Sequence, residues 1–337
     1  MLVPVIWFLI GLVLLIKGGD WFVDGATGIA ERFHLPELLI GATVVSIGTT
    51  LPEVMVSATS AASGHSQIAY GNAIGSIICN TSLIAAVTIA VRPGKVERKT
   101  LILPVCFFFI AAAFYAGIAY TTGTFQRADG ILLLGIFLVY MAATVRQMTK
   151  GDSQSLPESS PELPGGDSPD TGASARESRK SSLAKELLLL IAGAAVIAVG
   201  ADLLVDNGTL IAEGLGVPES VIALTFVALG TSLPELVTAI TSLIKGHGAL
   251  SLGNVIGANL FNLVLVCGIS ITLKPFEIPA SSMLFGRNAS LVLDIPVMLA
   301  VMLILTVPAL VRKKLSRVQG IGLLAIYAGY CVIQFAM

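Results

Sequence analysis

The sequence predicts an all-α integral membrane protein of ten transmembrane helices, arranged as two inverted five-helix repeats with both termini outside. Three observations predict it. Hydrophobic residues make up 55% of the 337 and charged residues 12%, with a mean hydropathy of +0.89, whereas a soluble domain carries about 25% charged residues. The apolar residues come in runs of roughly 20 or more, long enough as helices to span about 30 Å of hydrocarbon. The two halves of the chain also align with each other at a shift of 182 residues, which carries Pro36 onto Pro218.

The predicted spans are 2–28, 36–63, 67–91, 100–121, 129–148, 184–212, 218–244, 249–273, 289–311 and 318–336. Each must close its backbone hydrogen bonds within the helix or in a protein-lined cavity. Ten-residue segments of alternating hydropathy are absent, which excludes an outer-membrane barrel. Basic residues set the orientation. With the N-terminus outside, the inner loops collect 16 of the 20 Lys and Arg residues. The outer loops hold three, Arg127, Lys274 and Arg287, and Lys17 stays within the first span. The N-terminal apolar stretch has no basic region before it and no convincing cleavage site, so it reads as a retained span.

Residues 151–183 are dominated by Ser, Pro, Gly, Asp and Glu. Such a stretch cannot bury enough surface to offset its ordering entropy. The expected organisation is a first five-helix repeat at 1–148, a disordered cytoplasmic linker at 149–183 and a second five-helix repeat at 184–337. Cys79, Cys106, Cys267 and Cys331 all fall in spans without a C-x-x-C pair, and the three histidines are scattered. Packing accounts for the cysteines, and no zinc site emerges. The net charge of −1 and the lack of a basic patch give no reason to expect nucleic acid.

The repeat is the most informative feature. At the shift of 182, residues 35–83 lie over 217–265 without a gap. Gly48-Thr49 matches Gly230-Thr231, Pro52-Glu53 matches Pro234-Glu235, Gly71-Asn72 matches Gly253-Asn254, and Asn80 matches Asn262. Asp20 and Asp24 match Asp202 and Asp206. An odd number of spans per half makes the repeats inverted, the architecture of secondary transporters whose sites lie at the repeat interface on interrupted helices. The second and seventh spans are expected to be interrupted at Gly48–Glu53 and Gly230–Glu235. Pro52 and Pro234 cannot donate to the carbonyls of Gly48 and Gly230, which frees those oxygens for another partner.

Glu53 and Glu235 carry the chemistry. A carboxylate in mid-membrane costs at least about 2.5 kcal/mol and marks function. Two related by symmetry repel unless a cation or proton sits between them. Ca2+ takes six to eight oxygens at about 2.3–2.6 Å. Two carboxylates balance its charge and supply up to four oxygens, and Thr49, Thr50, Thr231 and Ser232 can complete the shell. The third and eighth spans face these residues. Ser76 and Asn80 share one helical face, as do Ala258 and Asn262, and the amide oxygens of Asn80 and Asn262 suit Na+ and Ca2+. The glycines at 71, 75, 253 and 257 stand at spacings that permit close helix approach. Asn72 and Asn254 are either ligands or bridges to the second and seventh spans. Asp20, Asp24, Asp202 and Asp206 read as caps or interhelical bonds, or as residues of an ion route. Lys17, one turn from Asp20, pairs with it or snorkels.

The two G-T-[ST]-L-P-E segments, each followed by G-N-x-x-G-[SA]-x-x-x-N, resemble the α-repeats of the sodium/calcium exchanger branch of the cation/calcium antiporters, prokaryotic members above all. The G-N-x-x-E variant typical of the proton/calcium branch is absent. The resemblance implies a core of spans 2, 3, 7 and 8 around four ion sites, with spans 1 and 6 sliding across it. Glu53 and Glu235 would bind Ca2+ with the carbonyls of Thr49 and Thr231. Thr50, Ser76, Ser232, Asn80 and the carbonyls of Ser46 and Ala228 would serve Na+. Two residues depart from an archaeal relative: Asn262 stands where it has an aspartate, although asparagine occurs there in other relatives, and Ala258 where it has a serine.

The function expected is antiport of Ca2+ against Na+ in the inner membrane of a prokaryotic cell. These ions are the transported species. No resident cofactor, catalytic residue or obligate protein partner is implied, and the lipid bilayer is the one constant partner. The alternative is a proton- or potassium-coupled calcium antiporter, which the lost serine hydroxyl makes more plausible. A cation channel and an intramembrane enzyme are weaker readings. Inverted repeats with buried acids imply occluded sites, and H-E-x-x-H is absent.

Overall fold

A computed structural model describes residues 2–151, 183–214, 230–279, 283–284 and 286–336. The apolar runs form helices α1 (Leu2–Arg32), α2 (Glu37–Ala62), α3 (Ser66–Val91), α4 (Arg98–Thr121), α5 (Arg127–Gly151), α6 (Leu183–Gly214), α7 (Leu233–Ile244), α8 (Gly248–Leu273), α9 (Ser290–Arg312) and α10 (Arg317–Ala336). Eight of these are long and apolar enough to cross a membrane, while the described part of α7 is shorter. The linker, the start of the seventh span and Ala228 lie outside the described residues.

The repeat is written into the backbone. Helix ends recur at a shift of 182: Ala62 and Ile244, Val91 and Leu273. The turns between α2 and α3 and between α7 and α8 also match. Gly64 and Gly246 have φ of +87° and +90°, a left-handed conformation that glycine adopts without strain. The two repeats run in opposite directions. A Cβ on Gly11 of α1 would meet Gly200 O of α6 at 2.8 Å, and one on Gly18 would meet Gly193 O at 3.1 Å. Rising numbers in α1 thus pair with falling numbers in α6. Subtracting 182 from 200 and adding it to 11 turns the first contact into the second, as a twofold axis between inverted repeats requires.

Loops gather at two ends. At the basic end, Val96 N donates to Lys313 O and Leu315 N to Gly94 O, both at 2.9 Å, and Arg92 Nη1 reaches Leu243 O at 3.1 Å. At the other end, strands β1 (Thr124–Phe125) and β2 (Phe276–Glu277) pair antiparallel. A short hairpin of β3 (Met283–Leu284) and β4 (Arg287–Asn288) follows; the sequence reading did not anticipate either feature.

The helices near the site are not plain α-helices. Wider π turns occupy Gly41–Val45 in α2, Asn80–Ala85 in α3 and Asn262–Val266 in α8. Such turns redirect carbonyls and often mark functional sites. Two of the released oxygens find side-chain donors: Ser46 Oγ donates to Gly41 O at 2.7 Å and Tyr140 OH of α5 to Ala42 O at 2.8 Å. The expected interruption of the second span is therefore corrected. Helix α2 continues through Pro52, because one lost bond is tolerated inside a packed helix, and its irregularity lies two turns earlier. In the second repeat, Thr231 and Ser232 form a turn and α7 starts at Leu233.

Close approach of α2 to α8 rests on glycine. A Cβ on Gly257 would lie 2.6 Å from Ala42 Cα, so any side chain there would force the helices apart. Around this centre, α3, α4, α5, α8 and α9 pack a core that includes Phe108, Tyr115, Tyr140 and Phe261.

Candidate ion-binding site

Helices α2 and α7 bring their acids to the middle of the bundle. Helix α2 turns Ser46, Thr49, Thr50, Glu53 and Ser57 inward on successive turns. Helix α7 presents Glu235 in its first turn, where free backbone N–H groups favour a negative charge. Both carboxylates are 0% exposed. Three of their four oxygens, Glu53 Oε1, Glu53 Oε2 and Glu235 Oε2, have no hydrogen-bond partner among the described residues. The fourth, Glu235 Oε1, stands 3.5 Å from Thr50 Oγ1. The two acids are close enough to act on each other electrostatically, and neither has an ion pair among the described residues.

Helices α3 and α8 cover the acids from two sides by matching contacts. Thr49 Oγ1 donates to Asn254 Oδ1 at 3.1 Å, and Thr231 Oγ1 donates to Asn72 Oδ1 at 3.1 Å. These bonds are mirror images under the shift of 182, and they make Asn72 and Asn254 bridges. Asn72 Nδ2 also donates to Ser57 Oγ at 2.8 Å and Glu53 O at 3.3 Å. Asn254 Nδ2 is unpartnered among the described residues, because Ala239 stands where the first repeat has Ser57.

Asn80 and Asn262 open the π turns of α3 and α8. Both are fully buried, and neither amide nitrogen nor oxygen has a partner among the described residues. An unmade hydrogen bond of this kind costs about 1–3 kcal/mol, so the two unpartnered amide oxygens beside three unpartnered carboxylate oxygens suit a site that takes a cation. Ser76 Oγ lies 3.4 Å from Ser232 Oγ. The mirror pair, Thr50 and Ala258, has only one hydroxyl. Ser46 Oγ is engaged by Gly41 O and by Asn254 O at 3.0 Å, which leaves its own carbonyl as its route to an ion.

A family profile described as sodium/calcium exchanger protein matches residues 3–146 and 185–336. The chain belongs to the sodium/calcium exchanger family. It is thus a membrane antiporter of the cation/calcium type. The chain is similar to the putative antiporter CaxA of Alkalimonas amylolytica, 35% identical over all of both chains. It is also similar to the sodium/calcium exchanger MaX1 of Methanosarcina acetivorans, 32% identical over 97% of each. The fold superposes on the sodium-calcium exchanger NCX_Mj, soaked with Na+ and Sr2+, with a TM-score of 0.77 and 32% identity over 98% of each chain.

Asp20, Asp24, Asp202 and Asp206 fall outside the centre. Asp20 and Asp24 of α1 pair with Lys245 at the end of α7, at 3.5 and 2.8 Å. Of the two expectations for Lys17, pairing with Asp20 gives way to this interhelical pair, and Lys17 is exposed. Asp202 and Asp206 are exposed, and their mirror partner position holds Ser63.

Sequence reasoning missed several polar residues here. Asn259 Nδ2 donates to Thr81 Oγ1 at 2.7 Å, tying α8 to α3 beside both Asn80 and Asn262. Neither residue has a polar mirror, since Ile77 and Leu263 take those places, so a search for repeated motifs passes over them. Thr238 and Ser251 were missed for the same reason, their mirrors being Val56 and Ala69; Ser242 has a polar mirror in Ser60 and was missed although it and Thr238 stand at helical spacing from Glu235.

Proposed function

We propose that this chain is a secondary active antiporter that exchanges Ca2+ for Na+ by alternating access in a prokaryotic inner membrane. The symmetric pair of buried carboxylates, with three oxygens unpartnered among the described residues, carries this reading. Neutralising that pair with Ca2+ supplies the charge balance that a buried −2 cluster lacks. Glu53 and Glu235 are the shared Ca2+ ligands, completed by the carbonyls of Thr49 and Thr231. Na+ is held by the oxygens of Asn80, Asn262, Ser76, Ser232 and Thr50, and by the carbonyls of Ser46 and Ala228. Asn72 and Asn254 act as braces that set the spacing of these groups. MaX1 and NCX_Mj are both named as sodium/calcium exchangers, which supports the choice of ions.

The topology belongs to the same proposal: ten spans, both termini outside, and repeats 1–148 and 184–337 joined by a cytoplasmic linker at 149–183. The gathering of the basic loops at one end supports it. In transport, either Ca2+ or Na+ compensates the two acids, so the acids stay neutralised while access switches. The test is ⁴⁵Ca uptake into proteoliposomes under outward gradients of Na+, K+ or H+. An outward Na+ gradient is expected to drive uptake while the other two do not. Uptake driven by H+ or K+ instead would replace the coupling ion and leave the carboxylate site standing.

A further inference from the structure

Most hydroxyls in these helices bond the carbonyl one turn back, as membrane-helix Ser and Thr generally do. Thr43, Thr81, Ser82, Thr144 and Thr306 each donate to a carbonyl four residues earlier. Four buried Ser and Thr hydroxyls have no partner at all among the described residues: Ser270 Oγ near the far end of α8, and three between Glu235 and the basic end. Thr238 Oγ1, Ser242 Oγ and Ser251 Oγ are buried, at 0%, 0% and 3% exposure, and have no partner among the described residues. Leaving each of them so in dry packing is costly.

Their placement is ordered. Glu235, Thr238 and Ser242 stand at i, i+3 and i+7 on one face of α7, covering about 10 Å along the helix. The α7–α8 turn carries the series on. His247 N donates to Ser242 O at 2.7 Å, and Ser251 N donates to His247 O at 3.2 Å. Ser251 then lines a cavity of about 400 Å3 at the basic end, between the starts of α2 and α8 and the loop 92–97. Its polar walls include Glu37, Arg92, Lys95 and Glu97. Asn254 Nδ2, one turn further along α8 than Ser251, is the fifth unpartnered polar group of the series, after Glu235 Oε2 and the three hydroxyls.

We infer that Thr238, Ser242 and Ser251 line a hydrated cation path from this cavity to Glu235, opening to the cytoplasm. The inference rests on the site reading above and on the basic end being cytoplasmic. The path is particular to the second repeat. The mirror positions are Val56, Ser60 and Ala69, so two of the three hydroxyls have no counterpart toward the opposite face. The hydroxyls offer oxygen to water and to a partly dehydrated Na+ or Ca2+ without fixing it, since none carries charge.

Substituted-cysteine labelling tests it. Ser242→Cys and Ser251→Cys are treated with methanethiosulfonate ethylammonium, a small thiol-reactive cation, on inside-out and right-side-out vesicles. Background labelling of Cys79, Cys106, Cys267 and Cys331 is measured on the unmodified chain, and Ser60→Cys is the mirror control. Both variants are expected to label from the cytoplasmic face with loss of Ca2+ flux, and Ser60→Cys is not. Labelling of Ser251→Cys but not Ser242→Cys would make the cavity a blind pocket and overturn the path, as would labelling from the outer face alone. Thr238→Val keeps shape and removes one oxygen. It is expected to slow exchange about fivefold or more while equilibrium Ca2+ binding holds, and an unchanged rate also overturns the path. Labelling needs no ion gradient, so its failure leaves the choice of coupling ion untouched. A different coupling ion likewise leaves the labelling result standing.

Discussion

Ala258→Ser restores a hydroxyl that the pseudo-twofold axis predicts and the chain lacks. In the complete half of the site, Ser76 Oγ and Ser232 Oγ stand 3.4 Å apart, two oxygens able to face one ion. In the other half, Ala258 has a methyl group at the mirror of Ser76, and Thr50 Oγ1 stands 3.5 Å from Glu235 Oε1. Serine adds one heavy atom at a fully buried position, and the mirror position already holds that atom at 4% exposure. One more oxygen in a desolvated cation site contributes about 1–3 kcal/mol, which converts to roughly five- to 150-fold in Na+ affinity. Ca2+ gains little, because its charge is met by Glu53 and Glu235. The assay is initial ⁴⁵Ca flux against Na+ concentration for the native chain, Ala258→Ser and Ser76→Ala. The half-saturating Na+ concentration is expected to fall in Ala258→Ser and to rise in Ser76→Ala, with Ca2+ affinity nearly constant. Superimposable Na+ curves for all three proteins would show that neither position touches sodium, and the oxygen-counting argument would fail.

Three further outcomes are expected. Glu53→Gln and Glu235→Gln should each abolish Ca2+ exchange while leaving the detergent-solubilised protein folded, and near-native flux in either would remove the two-carboxylate site. Thr81→Val should lower the thermal midpoint more than Asn259→Leu does. The first strands Asn259 Nδ2 beside the sulfur of Met302, costing about 1–3 kcal/mol, whereas the second removes a bond and the buried unpartnered Asn259 Oδ1 together. Equal or reversed midpoints would contradict this ordering. Lys245→Ala breaks an ion pair whose Asp24 side chain is 56% exposed. Pairs that open to solvent contribute about 0–1 kcal/mol, so flux should stay within about fivefold, and a complete loss would give Lys245 a role beyond that pair.

Much of the fold was legible because the membrane imposes it. Among the described residues, the helix ends outside the seventh span followed the apolar runs to within about four residues, and the repeat exposed Glu53, Glu235 and the Asn72 and Asn254 bridges by their pairing. What escaped had no repeated signature or no composition signature. The π turns at Asn80 and Asn262 depend on how carbonyls are redirected within a packed helix, and nothing in residue type announces them. Pro52 and Pro234 looked equivalent, yet the first lies within a continuous helix and the second opens one, because the preceding Thr231 and Ser232 leave the helical path. Lys245 was counted only as a topological charge, since its partners Asp20 and Asp24 lie more than 200 positions away. Asn259 and Thr81 fell silent because Ile77 and Leu263 mirror them.

The broken symmetry has a physical consequence. In an inverted-repeat antiporter, the state open to one face is the other repeat's version of the state open to the opposite face. Were the repeats identical, the two states would have equal free energy, and every preference between the faces must come from positions where the repeats differ. Some of these differences lie at the centre, and two others are ion pairs at the basic end. Arg32 holds Glu186 through Nε at 2.8 Å, and Lys245 holds Asp24 at 2.8 Å. The mirror of the first pair is Gly214 and Pro4, and Lys245 is mirrored by Ser63. Neither ion pair can form at the other face. The first joins α1 to α6, the two helices expected to slide together, and the second joins α1 to α7, so the second resists movement of α1 across the core at this end. The hydroxyls of Thr238 and Ser251 sit just inside the same end, where the first repeat has Val56 and Ala69. The basic end thus combines a polar interior with a charged clasp outside it. On the path inferred above, ions reach Glu235 once the clasp opens, and a clasp present at this end alone favours the state in which this end is closed by no more than the contribution of a solvent-open pair, about 0–1 kcal/mol.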